Sequence, residues 1–98
     1  MMRNSEIVEH LIQLAEKLGY QVRVEPFGGQ GGGVCELRGE RILFLDEDLL
    51  IDERLDALTL ALREDERHES FYVPPEVRER LDGSPPRAKS PIEQRMRP

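Results

Sequence analysis

Six residues, Gly28-Gly29-Gln30-Gly31-Gly32-Gly33, hold five glycines, and the chain's single thiol, Cys35, follows two positions later. Successive backbone amides without side chains can cradle an anion, and an activated thiol can act as a nucleophile. The neighbouring residues argue against both chemistries. Gly28 and Gly33 stand at the spacing of a Walker-type phosphate loop, but Val34-Cys35 occupies the place where that loop requires Lys followed by Ser or Thr. No register yields Gly-x-Gly-x-x-Gly, and the run leads into a strand-like stretch, not a helix N-terminus. A flexible strand-to-strand connection, or a place where a partner's backbone approaches closely, accounts for it. Ordering so many glycines costs conformational entropy, which is a reason to look for a use. The ligand-binding set this stretch offers is Gly29, Gln30, Gly31, Gly32, Gly33 and Cys35. A reactive thiol needs a cation, a histidine or a helix N-terminus beside it. The only histidines, His10 and His68, fall elsewhere in the sequence, so Cys35 is expected to be a small buried core residue.

Carboxylates cluster at Asp46-Glu47-Asp48, with Asp52 and Glu53 beyond. The EF-hand pattern fails, because it needs glycine at the sixth position and glutamate at the twelfth, where Ala57 stands. A solvated helix start matched to the helix dipole explains the same residues. One cysteine and two isolated histidines do not make a zinc site, so no metal or other cofactor is expected. No Gly-x-Ser-x-Gly context motivates a serine nucleophile. No catalytic residue is assigned.

The elements that must position these residues are legible from periodicity. Ile7, Leu11, Leu14, Ala15 and Leu18 recur at helical spacing, predicting a helix over Ser5 to Leu18, stopped by Gly19. Tyr20, Val22 and Val24 alternate with polar residues, as in a strand with one wet face, and Pro26 ends it or marks it as an edge. Val34 to Arg38 reads as a second strand. Gly39-Glu40 reads as a type II′ hairpin turn, and Arg41 to Leu45 as a third strand, apolar on both faces and therefore central. A second helix spans roughly Leu50 to Glu64, with Leu55, Leu58, Thr59 and Leu62 on one stripe. Asp65 to Ser70 is a polar linker, and Pro75 opens a short helix ending near Leu81.

The expected fold is α+β, in the order α-β-β-β-α, with a three-stranded sheet and two helices on one face. The domain covers 1–82, and 83–98 is a disordered basic tail. The second face of the third strand needs a cover. Phe71, Tyr72, Val73, Val77 and Leu81 folding back would supply one, and so would a second copy in a homodimer.

The layout helix, strand, hairpin, helix resembles the minimal core of the ImmA/IrrE-type zinc metallopeptidases. The stretch that carries the likeness is Thr59-Leu60-Ala61-Leu62-Arg63-Glu64-Asp65-Glu66, where that family has a Thr-Leu-Ala-His-Glu-x-x-His-like motif. Thr59, Leu60 and Ala61 match. The ligand positions hold Leu62 and Glu66, and the general-base position holds Arg63, so the resemblance implies a metal-free relative with the scaffold kept and the peptidase lost. It covers about residues 5–66. In length and layout the chain also looks like a short bacterial protein, a likeness that implies no function.

Length and composition bound the rest. Ninety-eight residues allow one domain with a modest core. One cysteine fits a reducing, cytoplasmic setting, and no apolar run is long enough for a membrane span. Residues 1–82 carry 10 basic and 19 acidic side chains, a net of −9, whereas 83–98 carry four basic and one acidic, a net of +3. An acidic body repels phosphate backbones, which leaves only the tail for nucleic-acid contact. The expectation is a non-catalytic module binding a protein partner or itself. The alternative is a small-ligand or anion-binding domain, or an enzyme, built on Gly28–Gly33 and Cys35.

Overall fold

The computed structural model describes residues 2–83. The expected basic tail lies, from residue 84 onward, outside the described residues.

Helix α1, Asn4–Lys17, begins one residue before the expected position; the Glu6 carboxylate accepts the amide of Arg3 at 2.9 Å and ties off the first turn. Its buried stripe is Ile7, Val8, Leu11, Leu14 and Ala15, the helical spacing read from the sequence. Leu18 closes the helix, and Gly19, at φ 98°, turns the chain into strand β1, Tyr20–Glu25.

Strands β2, Gly33–Leu37, and β3, Glu40–Asp46, form a hairpin. Its turn differs from expectation. The two central residues are Arg38, at φ 55°, and Gly39, at φ 82°, the paired positive angles of a type I′ turn, flanked by the pair Leu37–Glu40. Its twist matches that of the flanking strands, and that match outweighs the cost of a left-handed arginine.

The sheet order is β1-β3-β2, with β1 parallel to β3 and β2 antiparallel to it. The doubly apolar strand is therefore the central one. Its Leu43 and Leu45 join Tyr20 beneath the helices. On the opposite face Phe44 packs edge-on against Phe27 of the glycine loop, with ring centroids 5.7 Å apart, and the Arg23 guanidinium lies 6.0 Å from the Phe44 ring centre. The C-terminal segment does not supply that cover. Val73, Val77 and Leu81 are buried in the helix-side core, and Tyr72 stays exposed.

Helix α2, Ile51–Arg63, buries Leu55, Leu58, Thr59 and Leu62 against α1 and the sheet. The segment after Asp65 is not an open linker but a 3-10 turn, Glu66–Ser70, with His68 buried. Helix α3, Pro75–Leu81, packs against α1 and α2. The Arg78 guanidinium holds it to the 3-10 turn, donating to the carbonyls of His68 and Phe71 at 3.2 and 2.7 Å. Among the described residues no helix is long and apolar enough to cross a membrane.

Candidate functional site

Because β1 and β2 flank β3 on opposite sides, the chain from Pro26 to Gly32 must cross the C-terminal end of β3. Asp46, the last residue of β3, is 1% exposed and lies under that crossing. Its Oδ1 accepts the amides of Phe27 and Asp48, each at 2.9 Å, and its Oδ2 accepts that of Gly31 at 2.8 Å. Asp48 accepts the amide of Gly28 at 2.9 Å. Burial pushes the Asp46 carboxyl upward, but the amides of Phe27, Gly31, Asp48 and Gly29 outweigh it and hold the pKa below the ordinary carboxyl value. The loop does wrap an anion, and the anion is the chain's own side chain. Asp46 is thus no part of a solvated helix start.

The two faces of the crossing differ. A Cβ at Gly32 would lie 1.9 Å from the Phe44 carbonyl oxygen, so only glycine fits there. The backbone that approaches the run closely is the chain's own, at Phe44. Gly29 and Gly31, at φ 81° and 88°, have open space where a side chain would go. Gln30 caps the turn by donating its amide to the Phe27 carbonyl at 3.4 Å.

Cys35 is exposed, contrary to the expectation of a buried core thiol. The physical reason is the sheet order: β2 lies at an edge, and its register with Ile42 turns Cys35 to the face away from the helices. All five residues of β2 are exposed. In a hairpin closed by a two-residue turn, the flanking pair exchanges both hydrogen bonds. Leu37, Cys35 and Gly33 therefore point their N–H and C=O groups at β3, and Val34 and Glu36 point theirs outward. Among the described residues no strand pairs with that outer side.

Two hollows adjoin β2. On the helix side a groove of about 360 Å³ runs between β2 and α2, lined by Val34, Leu43, Leu45, Ala57, Leu60 and Ala61 among others. On the opposite face a smaller hollow of about 260 Å³ opens at Gly33, bounded by Phe27, Cys35 and Phe44.

A further polar cluster, unsuspected from the sequence, joins the start of the sheet to the end of α2. Asp65 accepts from Tyr20 Oη at 2.9 Å, from Arg41 at 3.3 Å, and from the fork of Arg67 at 2.9 and 2.7 Å. The Arg67 fork holds the Asp65 carboxyl far below its usual range. Burial, aided by the hydrogen bond to Asp65, pushes the Tyr20 phenol up. Every oxygen of Asp65 is already engaged, so the cluster reads as a clasp between strand and helix.

Among the described residues no group of three or more His, Cys, Asp or Glu is placed to hold a metal ion. No family model, curated protein or solved structure matches the chain.

Proposed function

We propose that this domain is a non-catalytic protein-interaction module that takes an extended backbone along the outer edge of β2. The observation that carries the reading is the contrast between the two edges of the sheet. The β1 edge carries the devices that blunt strand addition: an Arg23–Glu25 ion pair at 3.0 Å, and Pro26 at its end. The β2 edge has no proline, points the backbone groups of Val34 and Glu36 outward, and runs beside an apolar groove. Backbone bonds supply affinity in strand addition, and pockets for alternate side chains supply selectivity.

The anion-binding alternative finds the amides of Gly28 and Gly31 spent on Asp48 and Asp46. In the metallopeptidase resemblance, the ligand positions hold Leu62, which is buried in the core, and Glu66, which is exposed. The kinship proposed there is one of scaffold only.

Selection of a displayed random-peptide library on the purified domain tests the reading. Extended binders whose capture is lost in Val34→Pro, with the fold retained by circular dichroism, are the expected result. A library that yields none, or binders indifferent to Val34→Pro, overturns it.

A further inference from the structure

Resting on that reading, we infer that the extended partner of β2 is β2 of a second copy, paired antiparallel about a two-fold axis at Cys35. The strand is complementary to itself in this register. Val34 and Glu36, whose backbone groups point outward, pair with Glu36 and Val34 of the other copy and exchange the bonds that β3 does not use. Cys35 then lies opposite its own counterpart, and Leu37 lies opposite Gly33. Those two pairs belong to the non-hydrogen-bonded class, in which side chains approach most closely.

The shapes fit in that register. Leu37 is 56% exposed on the face away from the helices. Gly33 has no side chain, and the hollow of about 260 Å³ beside it is walled by Phe27 and Phe44. Each copy's Leu37 therefore fills the other's hollow, and neither copy fills its own. A register slip of one residue turns Leu37 to the opposite face and leaves the hollow empty.

Charge favours the same edge. Residues 1–82 carry a net of −9, so two copies repel over most of their surface. Residues 33–45 carry Glu36 and Glu40 against Arg38 and Arg41, a net of zero. Two five-residue strands bury less than the roughly 1,200 Å² of a standard interface, so the assembly is reversible and populated with concentration.

Sedimentation of the native chain under reducing conditions, over a wide concentration range, tests the inference. A monomer passing to a dimer is expected. Val34→Pro removes one outward donor from each copy, two bonds in all, and weakens association about thirtyfold. Leu37→Asp weakens it as well and serves if Val34→Pro misfolds, while Tyr72→Ala leaves it unchanged. A second readout is disulfide formation with oxidised glutathione. The two Cys35 thiols give up two protons and two electrons, and the oxidant leaves as two molecules of reduced glutathione. Native protein is expected to cross-link faster than Cys35→Ser/Glu36→Cys, whose thiols the register sets beyond disulfide reach. A native chain monomeric at every concentration overturns the dimer, as does a dimer indifferent to Val34→Pro and Leu37→Asp. Equal cross-linking of the two thiol positions overturns the register. A monomer that still takes displayed peptides along β2 sinks the dimer alone; a monomer that takes none sinks the module reading with it.

Discussion

The Asp46 carboxylate accepts the Gly31 amide at 2.8 Å, and through that bond the end of β3 holds the middle of the loop that delivers the chain to β2. The same carboxylate holds the amides of Phe27 and Asp48. One buried side chain thus sets the course of the crossing, the placement of Phe27 over Phe44, and the start of the exposed edge.

Gly32 is the position where that crossing is tightest. Gly32→Ala places a methyl group against the Phe44 backbone, which has little freedom to move in the central strand. Equilibrium urea denaturation should show a loss of about 1–3 kcal/mol. Gly29→Ala meets open space, and its cost is the left-handed backbone alone, about 1 kcal/mol. A loss at Gly29 exceeding that at Gly32 would contradict the crossing geometry.

Arg38 sits at φ 55° in the first central position of the hairpin turn. Asparagine tolerates that conformation far better, and Asn-Gly is the favoured type I′ pair. Arg38→Asn should stabilise the domain by about 0.5–1 kcal/mol. The midpoint of thermal unfolding reports it, and a fall would show that the Arg38 side chain makes a contact the turn argument omits.

Acid should destabilise the domain in a particular window. Asp46 and Asp65 both have folded-state pKa values held below the ordinary 3.8, so each favours the folded state when ionised. Their contributions are complete above the unfolded value and are lost as pH falls through the folded ones. Stability should hold constant from neutrality to about pH 5 and fall steadily below about pH 4. Replacing Asp65 with Asn should lower stability at neutral pH and flatten that fall, as followed by denaturation at a series of pH values.

Cys35 is exposed, so a thiol reagent should modify it stoichiometrically in the native protein, without denaturant. Under the proposed pairing of two β2 strands, which would cover the thiol, dilute protein should react faster than concentrated protein. Labelling that requires denaturant even in dilute solution would place Cys35 in the core after all.

Local pattern decided most of the elements. The helical stripe of α1, the alternation in β1 and the stripe of α2 each arise from residues within a few positions of one another. Their bounds follow from the sequence to within a residue or so. The doubly apolar run Ile42-Leu43-Phe44-Leu45 likewise announced a central strand. The sequence pattern puts the turn one residue late, because Gly39 alone suggests the type II′ geometry, and only the pairing of Leu37 with Glu40 fixes both central residues.

What only the tertiary structure decided is everything that depends on strand order. Pairing β1 with β3, and not with β2, sends the glycine loop across the top of the sheet and turns Asp46 under it. It leaves β2 at an edge with Cys35 in solvent, and it gives Phe27 the task of covering Phe44. Asp65 draws together Tyr20 and Arg41 across both halves of the chain in the same way. These are contacts between residues far apart in sequence, selected by the burial of whole faces, and periodicity within a segment carries no record of which segment becomes its neighbour.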